Sequence, residues 1–217
     1  MISRKAYTKI HTWKQTKTRQ GLLVTGARQV GKTYLIREFA KANYKNVVEI
    51  NLVNSKSAVN VLEEADNAKD LFSRISAVSE KKLIPGETLI FLDEIQEFSE
   101  IVTNIKFLVE QTDYDFVLSG SLLGVELKNV RSVPVGYLDT VEMYPLDFEE
   151  YIAARGISED LINIVRQSFA DKTEVPDYLH EKMLTLFYEY LIIGGMPAVV
   201  AEFCESRNLQ NVRRLQE

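Results

Sequence analysis

Eight consecutive residues, Gly26-Ala27-Arg28-Gln29-Val30-Gly31-Lys32-Thr33, follow the pattern G-x-x-x-x-G-K-[ST]. In such a loop the glycines let the backbone curl until successive N–H groups point inward at phosphate oxygens. The positive end of the helix that follows adds to the attraction. Lys32 is placed to reach β- and γ-phosphates, and Thr33 to offer its hydroxyl to Mg²⁺, an ion that keeps several waters and takes few protein ligands. Downstream, the apolar run Leu89-Ile90-Phe91-Leu92 delivers two carboxylates, Asp93 and Glu94. Asp93 is the expected Mg²⁺-side carboxylate, and Glu94 the group that orients and polarises an attacking water. The two segments together predict a site for ATP with Mg²⁺. Gly26 through Thr33 and Tyr34 make its nucleotide contacts, and Lys32 and Glu94 carry the chemistry.

A third segment, Val117-Leu118-Ser119-Gly120-Ser121, sets hydroxyls at the end of another apolar run. Ser119 or Ser121 could sense the γ-phosphate or hold the lytic water, and a serine-glycine turn that merely links strand to loop fits equally well. Gln96 could support the same water network, and a solvent-facing glutamine is the default reading. Arg28, Arg131 and Arg155 are each conceivable as an arginine finger, with nothing to rank them. His11 and His180 lie on helical stretches without metal-ligand spacing and read as ordinary helix residues. No acceptor-binding signature favours a kinase.

These groups need elements to hold them. A helix is expected from Ser3 to about Gln15. Leu22-Leu23-Val24 then reads as a short buried strand leading into the glycine loop, and Leu35, Ile36, Phe39 and Ala40 recur at helical spacing after it. Further strands are expected at Val47–Leu52, Thr88–Leu92, Phe116–Leu118 and Leu138–Met143. Helices are expected at about 56–65, 67–79 and 99–111. This alternation predicts an α/β fold, a parallel-sheet core covered by helices on both faces. After Pro145 helical periodicity takes over. Asp147-Phe-Glu-Glu150 has the form of a reciprocal cap, Gly156 closes the helix it opens, and Ser158 suits the next cap. From Pro176, the residues Leu179, Met183, Leu186, Phe187, Tyr190 and Leu191 share one stripe of a core-facing helix. The predicted division is 1–145 for the nucleotide core and 146–217 for a small helical domain.

With 217 residues, 46% hydrophobic and 26% charged, the chain can bury a core without disulfide or metal. No apolar run approaches a membrane span, the start lacks a secretory pattern, and Cys204 is alone. A soluble, cytoplasmic protein is the expectation. The net charge of −5 argues against whole-surface attraction to nucleic acid. Arg4, Lys5, Lys9, Lys14, Lys17 and Arg19 do concentrate positive charge locally, and a solvated helix face is the favoured reading of them.

Five segments in order also carry a resemblance: Gly26–Thr33, Leu92-Asp-Glu-Ile-Gln96, Ser119-Gly-Ser-Leu-Leu-Gly124, Tyr144-Pro-Leu-Asp-Phe148 and Gly194-Gly-Met-Pro197. The chain resembles the AAA-like P-loop ATPases of bacteria and archaea that carry an additional C-terminal domain of unknown function. The resemblance implies an AAA-like core of the ASCE type followed by a helical lid, with Met196 and Pro197 against the adenine. It also implies a longer protein, with a following domain that resembles nuclease folds and is absent here. Members often have Gly-Arg or Gly-Lys where this chain has Gly136-Tyr137. The expected function is ATP hydrolysis coupled to lid movement. The alternative is a slowly hydrolysing nucleotide-dependent switch or scaffold. A homo-oligomer, and a protein or DNA partner, stay open as expectations.

Overall fold

The computed structural model describes residues 2–16, 19–79, 81–121 and 136–217. The chain divides into two compact units, Ala6–Met143 and, second, Met1–Lys5 with Tyr144–Glu217.

Among the described residues the first unit holds helix α1 (Lys5–Thr16, its first residue counted with the second unit), β1 (Gly21–Gly26), α2 (Lys32–Asn43) and β2 (Asn46–Asn51). There follow α3 (Lys56–Glu63), α4 (Ala68–Val78), β3 (Thr88–Asp93), a 3-10 turn (Ile95–Phe98), α5 (Glu100–Gln111), β4 (Asp115–Gly120) and β5 (Leu138–Met143). The strands form one parallel sheet in the order β2-β3-β4-β1-β5. β4 therefore stands between the loop-bearing β1 and the carboxylate-bearing β3. Side chains alternate across each strand. Leu23, Ile90, Leu92, Phe116 and Leu118 pack on one face with residues of α3, α4 and α5. Leu22, Val24, Leu89, Phe91 and Val117 pack on the other with Ile10, Trp13, Ile36 and Phe39 of α1 and α2. Burial on both faces is why these strands read as unbroken apolar runs, β3 being buried at all six positions. The α/β parallel-sheet fold expected from the sequence is the fold observed.

The second unit is helical: α6 (Phe148–Ala154), α7 (Glu159–Asp171), α8 (Asp177–Ile193), α9 (Pro197–Ser206) and α10 (Leu209–Gln216). Leu146, Tyr151, Ile152, Ile162, Leu186, Val200, Phe203 and Val212 form its core. Asp147 caps α6 by accepting from Glu150 N while Glu150 Oε2 accepts from Asp147 N, the reciprocal box read from the sequence. Glu150 also accepts from Lys5 N and Arg4 Nε, so residues sequence reasoning set with the nucleotide core belong here. Two expectations need correction. Ser158 stands at the head of α7 but makes no side-chain cap bond. On α8, Leu179 and Leu186 are buried, whereas Phe187 and Leu191 are 40% and 62% exposed. Apolar residues cover more than one face of that helix, so periodicity alone did not single out the buried one.

Candidate functional site

The sheet brings the chemistry-bearing residues to one edge through its register. Asn51 lies opposite Asp93 across β2 and β3. Leu92 lies opposite Leu118 across β3 and β4, so Ser119, one residue on, comes beside Asp93. From β1 the chain leaves through Gly26, whose φ of 147° only glycine adopts freely. A side chain there would also collide with the carbonyl oxygen of Met143. The loop continues through Gln29 (φ 66°) and Gly31 (φ 91°), both left-handed, and α2 starts at Lys32 without any side-chain cap. An uncapped helix start of this kind is an arrangement that suits an anion.

Asp93 is 2% exposed and accepts four hydrogen bonds. Thr33 Oγ1 (3.0 Å) and Asn51 Nδ2 (3.1 Å) donate to its Oδ2. Glu94 N (3.1 Å) and the Ser119 hydroxyl donate to its Oδ1. A single carboxylate therefore ties together the loop helix, β2 and β4. Lys32, 6% exposed, donates from Nζ to the carbonyls of Gly26 and Ala27, each at 2.9 Å. Burial pushes its ammonium down from the ordinary lysine value, Glu94 and Asp93 draw it back up, and Arg28 lowers it. Arg28, Gln29, Gly31, Lys32, Thr33, Tyr34 and Glu94 line a cleft of about 350 Å³. Glu94 follows Asp93 in left-handed conformation (φ 60°, ψ 50°) and opens the 3-10 turn.

A family model described as an AAA domain matches residues 18–152, well over half of the chain. The chain belongs to that family. Among solved structures, the AAA domain is similar to a Walker-type ATPase of Pyrococcus abyssi, at 15% identity and TM-score 0.52, over 99% of this chain and 71% of that one. It also matches C. elegans PCH-2 (15% identity, TM-score 0.45, 97% of this chain and 62% of that one). A third match is the Aeropyrum pernix ORC1 protein in complex with DNA (12% identity, TM-score 0.49, 100% and 66%). The first of these likenesses shows the fold. No curated protein matches the chain.

The structure gathers Gly26, Ala27, Arg28, Gln29, Val30, Gly31, Lys32, Thr33, Asp93, Glu94 and Ser119 of the AAA domain at one sheet edge. Tyr34 is 56% exposed at the cleft, and Val30 is fully buried in the core shared with α1 and α2. Ser121 is buried just past β4, but Ser119 is the serine that bonds Asp93. Pro197 belongs to the second unit, where it opens α9. There Gly195 accepts from Leu146 N at 2.6 Å, so the Gly-Gly-Met-Pro and Tyr-Pro-Leu-Asp-Phe segments meet. A side chain on Gly195 would strike the Leu146 carbonyl, which explains the glycine.

Arg155, one of three arginine-finger candidates, is held in an ion pair with Glu189 (2.5 and 2.9 Å), which also accepts from Tyr151 Oη. With its side chain 8% exposed, it is a packing and pairing residue of the helical unit. Arg131, Lys17 and the Leu122–Gly124 end of the third motif lie outside the described residues. Sequence reasoning missed Asn51, though a polar residue closing an apolar strand at the ligand edge of an α/β sheet was a usable signal. It weighed Gln96 as a support of the water network but favoured a solvent-facing side chain. That residue is half-buried and donates to Glu94 Oε2 at 2.6 Å.

Proposed function

We propose that this AAA domain binds ATP with Mg²⁺ and hydrolyses it, and that the cycle moves the helical unit as a lid. The observation that carries the reading is the knot at Asp93. One carboxylate joins the Thr33 hydroxyl, the end of β2 and the end of β4, with Glu94 next to it on the cleft that Lys32 lines. Thr33 and Asp93 offer two oxygen donors within 3.0 Å of each other, a hard, sparse set that suits Mg²⁺. Bound there, the ion would offset charge on the phosphate oxygens. Loop N–H groups and the Lys32 ammonium, released from the Gly26 and Ala27 carbonyls, hold the β- and γ-phosphates. Glu94 accepts a proton from water as its oxygen attacks the γ-phosphorus. The bond from that phosphorus to the bridging oxygen breaks, and ADP and phosphate leave. Ser119, bonded to Asp93, orients that carboxylate, and Ser121 borders the same edge. Tyr34 and Pro197 are assigned to the nucleotide, Pro197 by the resemblance.

A nucleotide-dependent switch is the rival reading, and single-turnover hydrolysis separates the two. Glu94→Gln should bind Mg-ATP as the wild type does and lower the rate by about 10²-fold or more, the usual scale of general-base assistance. Equal rates would defeat hydrolysis as the activity. Action on DNA gains no support from the N-terminal charges. Arg4 is engaged with Glu150, Lys5 with Asp147 and Glu149, and Lys14 with the Asn43 carbonyl.

A further inference from the structure

Gln96 lies two residues beyond Glu94 in the 3-10 turn that fully buried Ile95 anchors. Its amide nitrogen donates to Glu94 Oε2 at 2.6 Å, while its carbonyl oxygen is buried with no hydrogen-bond partner among the described residues. Those two facts pull in opposite directions energetically. A buried acceptor left unpaired destabilises the fold, and an apolar side chain of similar length would fill the space without that cost. What the amide does that methionine could not do is hold the Glu94 carboxylate. Turning the amide over would set oxygen against oxygen, so this orientation is the one that lets the amide donate to the Glu94 carboxyl group.

We propose that Gln96 is a positioning residue for hydrolysis, pinning the Glu94 carboxylate by one oxygen and leaving the other to accept from the attacking water. The inference rests on the hydrolytic reading above. A carboxylate has about four lone-pair directions, so one bond from Gln96 leaves room for that water. The left-handed backbone fixes where the Glu94 side chain starts, and the Gln96 bond fixes where it ends. Freed of that bond, the carboxylate would sample several rotamers, and a displacement of about 1 Å in a reacting group can cost 10²-fold in rate.

Steady-state kinetics and thermal unfolding of Gln96→Met, beside wild type and Glu94→Gln, test this. In Gln96→Met, kcat should fall at least about tenfold with KM for ATP within about twofold. Its melting temperature should stay level or rise. Combined with Glu94→Gln, the same change should lower kcat no further, because the group it positions is already gone. Gln96→Glu keeps the length and polarity but faces Glu94 with a like charge, and should lose kcat as Gln96→Met does. Wild-type kcat in either folded variant overturns the proposal. So does a kcat loss accompanied by a lower melting temperature and weaker ATP binding, or one that adds to that of Glu94→Gln. If Glu94→Gln by itself turns over at the wild-type rate, hydrolysis fails as the function, a result read without any Gln96 variant.

Discussion

At the scale of single residues, the site is governed by how closely backbone must approach backbone and how completely a buried charge is satisfied. Gly26 shows the first. Its φ of 147° and the Met143 carbonyl beside it leave no room for a Cβ. Gly26→Ala should therefore destabilise the first unit by about 1–3 kcal/mol, through strain and overlap together. A denaturant midpoint unchanged from wild type would show that the loop can move aside. Asp93 shows the second. Four donors surround it, and three of them come from side chains on three different elements. Such a carboxylate is held in one orientation before any ligand arrives. Only Thr33 and Asp93 of that set could be named from sequence as partners, because their motif spacings are fixed. Asn51 and Ser119 close apolar strands, a local mark of the ligand edge, but that they meet the same carboxylate depends on which strands pair, a long-range outcome.

At the scale of elements, the first turn of α6 gathers charge. Glu149 accepts from Arg166 and pairs with Lys5 at 2.5 Å. Hydrogen bonds from Arg166, then from Lys5, hold its carboxyl down to about 2 from an ordinary 4.5. The folded value lies below the unfolded one. This contribution to stability is thus complete above about pH 4.5 and is lost as pH falls toward 2. Urea midpoints of wild type and Glu149→Gln should differ at pH 6 and draw together as the pH falls from about 4.5 toward 2. Curves that stay parallel would remove Glu149 from acid sensitivity. The elements themselves were largely legible. β3 and β4 read as strands because both faces are covered, and α6 was bounded correctly by its Asp147-Glu150 box. α8 was less legible, since Phe187 and Leu191 share the apolar character of buried Leu179 and Leu186 while standing exposed. The 3-10 turn after β3 was not foreseen either. Four residues carry too little periodicity to reveal it, although it is what turns Gln96 back toward Glu94.

At the scale of the whole molecule, two units with separate cores raise the question whether nucleotide energy reaches the second. The phosphate loop, Asp93 and Glu94 all lie within Ala6–Met143, whereas Pro197 lies in the helical unit. A ligand that binds only the folded form adds RT ln(1 + [L]/Kd), about 2.7 kcal/mol at a hundredfold excess over Kd. If ATP touched the first unit alone, only that unit's unfolding transition would rise. If the helical unit closes on the nucleotide as a lid, the same free energy is shared and both transitions rise, because opening either then releases ligand. Calorimetry with Mg²⁺ and a non-hydrolysable ATP analogue should accordingly shift the unfolding of both units. Lys32→Ala should remove both shifts, and Pro197→Ala should reduce the shift of the helical unit more than that of the core. A rise confined to Ala6–Met143 would sink the lid while leaving nucleotide binding intact. The coupling would then have to come from a partner chain rather than from this unit.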